Sequence, residues 1–86
     1  DYPMYSEIIG KKLFPLGAYY PDGYHICCDE DGRVYKMGEY CFHVGTNLHN
    51  GIENIILLNT LNSFQLDEDN GKWWNMDAKY TNLPPL

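Results

Sequence analysis

The sequence predicts an α+β fold: a small antiparallel sheet, built as a meander of short strands, packed with one or two helices. Three observations predict it. The tight-turn signals Asp31-Gly32 and Gly38-Glu39 separate short stretches in which apolar and polar residues alternate. After Gly45, apolar residues recur at helical rather than strand spacing. A helix-like stretch ends at Gly10, before the first alternating segment begins.

Taken in order, Ser6-Glu7-Ile8-Ile9 is the end of a helix and Gly10 its stop. Residues 12–20 are a strand, and Pro15 within it cannot donate to a ladder, so it lies at an edge or is interrupted there. Pro21-Asp22-Gly23 is a turn. Residues 24–29, 33–37 and 40–44 are three successive strands joined by the two tight turns. In the last of them Tyr40, Phe42 and Val44 share one face, with Cys41 and His43 on the other. Thr46 or Asn47 caps a helix that runs to about Leu58, with Leu48, Ile52, Ile55, Ile56 and Leu58 as its apolar positions. Gly51 weakens that helix by about 1 kcal/mol relative to alanine. Beyond Asn59-Thr60, Leu61, Phe64 and Leu66 fit a strand or a helical turn. Residues 67–71 form a charged turn, Trp73-Trp74 follows, and residues 81–86 are irregular.

At 86 residues the chain has room for one domain with a modest core, expected to span residues 1–86. Twelve Asp and Glu against six Lys and Arg leave a net charge of −6. Such a surface repels nucleic acid and anionic lipid, which need Lys and Arg to neutralise phosphate, and attracts basic proteins. No apolar run approaches a membrane span, and the longest is Ile55-Ile56-Leu57-Leu58. No basic region followed by an apolar stretch opens the chain, so no signal peptide is expected. The three cysteines, Cys27, Cys28 and Cys41, fit reduced thiols in a cytoplasmic protein better than a disulfide framework.

Chemistry-bearing motifs are sparse. His25, Cys27, Cys41 and His43 alternate on two strands and could converge on a tetrahedral zinc. The strand at 33–37 falls between the two pairs, so reduced thiols and surface imidazoles are the favoured reading. The acids of 67–71 lack the spacing of a calcium loop. Gly-x-Ser-x-Gly and phosphate-cradling motifs are absent, and no oriented Cys–His dyad is legible. No cofactor is expected. The remaining candidates are surface aromatics near acids: Tyr19, Tyr20, Tyr24, Trp73 and Trp74 beside Asp22, Asp67, Glu68, Asp69 and Asp77. Aromatics ringed by carboxylates anchor basic protein partners. The partner-binding residues selected are Tyr19, Tyr20, Asp22, Asp67, Glu68, Asp69 and Trp73.

From Tyr5 to about Leu58 the order of features resembles a known family. Tyr5-Ser6-Glu7-Ile8-Ile9-Gly10 leads into Leu13-Phe14-Pro15-Leu16-Gly17. Ile26-x-x-Asp29-Glu30-Asp31-Gly32-Arg33-Val34-Tyr35 follows, then Gly45 and a helix through Ile52, Ile55 and Leu57. This resembles the C-terminal half of the SUKH superfamily, most closely its SUKH-3 branch. The resemblance implies a SUKH-like α+β fold and the role of a bacterial immunity protein without catalysis, which binds and neutralises a cognate toxin, often a nuclease. The family's N-terminal half has no counterpart here, so the chain reads as a fragment or a shortened relative. Uncovered apolar surface would then favour a homodimer. The expected partner is a protein toxin with a basic surface, with no direct nucleic acid and no membrane. The alternative is a non-catalytic regulatory or scaffold module of the same fold. A third reading is a metal-dependent enzyme or metal sensor using the four His and Cys residues.

Overall fold

A computed structural model describes residues 2–19, 23–57, 63–75 and 79–86. The elements run α1 (Tyr2–Ile9), β1 (Leu13–Tyr19), β2 (Tyr24–Asp29), β3 (Val34–Met37), β4 (Cys41–Gly45), α2 (Leu48–Ile56), β5 (Phe64–Asp67), β6 (Lys72–Trp74) and β7 (Tyr80–Thr81). The strands form one antiparallel sheet of seven in the order β1-β2-β3-β4-β5-β6-β7, a meander in which every chain neighbour is a sheet neighbour. The α+β architecture is the one the turn chemistry predicts. Leu58, Leu61, Tyr20, Asp22 and Asp77 lie outside the described residues.

Turn residues set the strand boundaries. Gly10 stops α1 with a φ of 78°, and its N–H bonds the Ser6 carbonyl at 2.9 Å. Gly32, at a φ of 90°, turns β2 into β3. Asp29 fastens that hairpin from within: its Oδ1 accepts the N–H groups of Asp31 and Arg33 at 2.9 and 3.0 Å. Its Oδ2 accepts the Tyr35 hydroxyl at 2.6 Å. Asp29 is buried, and this set of donors offsets the cost of placing a carboxyl there. β1 is an edge strand, as Pro15 requires, and its register slips between Pro15 and Gly17 so that Leu16 bulges out.

The two helices cover opposite faces. Tyr5 of α1 packs with Cys27, Tyr35, Met37, Cys41 and Leu66, flanked by Ile8, Ile9, Leu13 and Trp73. Ile55 of α2 packs with Val34 and Val44. Val34 and Tyr35 are adjacent on β3, so these clusters lie on the two sides of the sheet. β3 is therefore buried on both faces.

α2 is capped by Asn47, whose side chain accepts the Asn50 N–H at 2.8 Å. Its buried residues are Gly51, Asn54 and Ile55, whereas Leu48 and Ile56 are exposed. The expectation that Gly51 merely weakens the helix is corrected by its surroundings. A Cβ there would lie 2.5 Å from the Val34 Cβ, and one on Gly45 would meet the Gly51 backbone. The two glycines let helix and sheet approach closely. Asn54 uses that closeness: its Nδ2 donates to the Val44 carbonyl at 2.6 Å, beyond the point where β4 pairs with β5.

Candidate functional site

The charged turn at 67–71 forms as expected, joining β5 to β6. Gly71 takes a φ of 70° and returns its N–H to the Asp67 carbonyl at 2.8 Å. Asp67 Oδ1 accepts the Asp69 N–H at 3.0 Å, and Asn70 Oδ1 accepts the Lys72 N–H at 2.9 Å. Asp67 Oδ2 accepts the Tyr80 hydroxyl at 2.6 Å. That bond first, then the Asp69 N–H, holds the Asp67 carboxyl below its usual range. Glu68 also reaches Tyr5, whose phenol is pushed up by burial and then by that carboxylate.

These acids border a groove lined also by Tyr40, Gln65, Leu66, Trp74 and Tyr80. Tyr40 is 49% exposed and Tyr80 58% exposed, so both rings are open to a partner. Lys72 lies over the Tyr80 ring at 5.9 Å from its centroid, on the flank of the groove. The site is thus carboxylates between aromatic walls, whose charge and ring faces are chemically suited to a cation.

Of the residues selected from sequence, Asp67, Glu68 and Asp69 come together. Tyr19 ends β1 and pairs with Tyr24 across to β2. It stands four strand spacings from Asp67, about 19 Å. Tyr20 and Asp22 lie outside the described residues. Trp73 sits beneath the groove rather than in it, half-buried and stacked on Tyr35 with centroids 5.9 Å apart. Its neighbour Trp74, on the opposite face of β6, lines the groove. Tyr40, Gln65, Leu66, Trp74 and Tyr80 are the lining residues that the sequence reading did not select. Only the sheet register brings them together.

The His and Cys residues are arranged otherwise than a zinc site needs. Register places Cys27, Tyr35 and His43 in one row and His25, Met37 and Cys41 in the next. Tyr35 and Met37 stand between the pairs, His25 is exposed, and among the described residues no group of three or more His, Cys, Asp or Glu is placed to hold a metal. The expectation of a surface imidazole at 43 is corrected: His43 is 1% exposed, because the rings of Tyr35, Phe64 and Trp73 and the Arg33 guanidinium enclose it. Burial pushes the Cys27 thiol up to about 12 and raises Cys41 as well, so both stay protonated and unreactive.

The family model for the SUKH-3 immunity protein matches residues 2–57, well over half of the chain. The chain belongs to that family. No curated protein and no solved structure matches it. The SUKH-3 stretch covers α1 to the end of α2 and includes the Gly32-Arg33-Val34-Tyr35 hairpin and Tyr40. The acids of the groove, Trp74 and Tyr80 come after it. Among the described residues of this SUKH-3 protein, no helix is long and apolar enough to cross a membrane.

Proposed function

We propose that this SUKH-3 protein is an immunity protein that binds and neutralises a cognate toxin, a nuclease with a basic surface, without catalysis of its own, in the cytoplasm. The family match carries the reading. The aromatic groove with Asp67, Glu68 and Asp69 supports its electrostatic side. A nuclease needs Lys and Arg to hold phosphate, and an acidic partner surface complements them. Replacing Asp67, Glu68 and Asp69 together by Lys is expected to weaken toxin binding about 10- to 100-fold and to slow association most at low salt. Co-expression with the toxin encoded beside this gene, scored by cell survival and co-purification, checks it. Unchanged affinity in the triple variant would remove the acidic face from the reading.

The scaffold alternative has one observation in its favour. The outer face of α2 exposes Leu48, Ile56 and Leu57 at 54%, 69% and 66%. Sedimentation of the wild-type chain and of Ile56→Lys measures this: a homodimer lost in the variant and insensitive to salt supports self-association through α2. A monomer at every concentration sets it aside.

A further inference from the structure

Among the described residues, two hollows adjoin on the sheet face beside α2. The register lines up Lys36, Phe42, Gln65, Trp74 and Tyr80 in one row across β3 to β7. α2 packs chiefly on β3 and β4, at one end of that row. A hollow of about 480 Å³ lies over it, lined by Phe42, Val44 and Trp74 with Ser63 and Lys36 on its borders. Gln65 and Trp74 line this hollow and the acidic groove alike, so the two are neighbours on one face. Gln65 and Asp67 are two positions apart on β5, which puts their side chains on one face about 7 Å apart.

We propose that this surface seats an extended segment of the toxin, with an apolar side chain in the hollow and a Lys or Arg two positions along it over Asp67. The inference rests on the immunity reading above and names the chemistry of the partner. An extended chain returns a side chain to the same face every second residue, at the same spacing of about 7 Å. The acids and the rings of Tyr40, Trp74 and Tyr80 suit a cation, whereas the lining of Phe42, Val44 and Trp74 suits an apolar anchor. Lys36 lines the hollow from β3, with its ammonium 5.0 Å from the Tyr24 ring centroid, and no carboxylate is among the described lining residues to receive a basic residue there. The basic residue of the segment is thereby directed towards Asp67.

The test uses the whole chain and the toxin encoded beside it, disabled at its own catalytic residues, in calorimetric titrations. Ser63→Trp plugs the hollow from its border and leaves the acids in place; Trp74→Ala serves as a second variant that strips its wall. Each is expected to bind the toxin at least about tenfold more weakly while keeping the wild-type circular dichroism. Toxin binding unaltered in both, with the triple acid reversal still defective, overturns this inference and leaves the immunity reading standing. Wild-type protein that binds no toxin overturns both. A wild-type dimer that Ser63→Trp dissociates shows a second copy in the hollow and also overturns it. The spacing is read by nuclear magnetic resonance with the pentapeptide Thr-Phe-Thr-Arg-Thr, which should shift the Gln65 amide and Trp74 indole signals. Equal shifts from Thr-Phe-Thr-Glu-Thr or Thr-Phe-Arg-Thr-Thr would refute the pairing of anchor and cation.

Discussion

Gly51→Ala lowers the melting temperature by roughly 8–16 °C, the opposite of what helix propensity alone gives. Alanine in a helix interior gains about 1 kcal/mol over glycine. The added Cβ would lie 2.5 Å from the Val34 Cβ and 2.8 Å from its Cγ2. Val34 has no exposed surface and sits on β3, an interior strand buried on both faces, so it has nowhere to move. Overpacking of this kind costs about 3 kcal/mol, which outweighs the propensity gain and leaves a net loss of about 2 kcal/mol or more. In a domain of this size each kilocalorie moves the midpoint by about 4–8 °C. Gly45→Ala is expected to be at least as harmful, because its Cβ meets the Gly51 backbone, which cannot rotate aside. Gly17→Ala is the control: a Cβ there meets nothing within 4 Å, and the shorter list of unfolded conformations should leave stability unchanged or raised by about 0.5 kcal/mol. Thermal and denaturant unfolding of the three variants decides the matter. A Gly51→Ala protein as stable as wild type would show that the helix does not rest on the sheet at this distance.

The same contact explains why the fold was legible in the sequence while the packing of α2 was not. Strand boundaries follow turn chemistry, and β2 falls at Tyr24–Asp29 as the turns at Gly23 and Gly32 dictate, each with a positive φ. The helix began where Asn47 could cap it. Apolar periodicity then selected Leu48, Ile52, Ile55 and Ile56 as the buried stripe, yet of these Ile55 alone is buried. Periodicity registers apolar character, not distance. At very close approach the buried positions must be small or must bond the backbone, as Gly51 and Asn54 do.

The candidate site divides along similar lines. A run of acids in a turn is visible in one dimension, and Asp67, Glu68 and Asp69 border one groove. The aromatic walls come from β4's leading turn, β6 and β7, which meet only through pairings such as Gln65 with Trp74 and Trp74 with Tyr80. The sequence placed Trp73 and Trp74 together as surface aromatics and selected Trp73, whereas on β6 Trp73 packs against the core and Trp74 lines the groove. β7, two residues long, carries no strand signal of its own and exists through its ladder with β6. The burial of His43 was hidden for a related reason: the rings of Tyr35, Phe64 and Trp73 that close over it come from β3, β5 and β6 and meet it only in the sheet.

His43 should make the protein lose stability between about pH 6.5 and pH 4. Its ring is enclosed by Tyr35, Phe64 and Trp73, with centroids 5.5–6.2 Å away. Nε2 faces Arg33 Nη1 at 3.1 Å, and a guanidinium only donates, so Nε2 accepts and the ring proton sits on Nδ1. Among the described residues Nδ1 finds no partner. Arg33 is itself fixed by donating from Nη2 to the Pro84 carbonyl at 2.7 Å. Protonation would place a second cation against Arg33 in a buried site. Burial first, then Arg33, pushes the imidazole down to about 4, with Asp29 opposing weakly. Since the unfolded chain takes up its proton near 6.5 and the folded one near 4, the unfolded state binds more protons in that window, and stability falls as pH falls through it. The loss from this group approaches about 3 kcal/mol at pH 4 and is absent above pH 7. His43→Phe keeps an aromatic ring against Tyr35 and Trp73 and removes the titration. Its unfolding free energy should stay within about 1 kcal/mol of wild type at pH 7.5 and exceed it by about 2 kcal/mol or more at pH 4.5. Urea titrations at those two values measure the difference directly, with carboxylate effects common to both proteins cancelling. Parallel curves for the two proteins would mean that His43 carries no buried proton deficit, and that acid destabilisation comes instead from carboxylates such as Asp67, whose lowered pKa gives stability that is lost only as the pH falls below the ordinary carboxylate range.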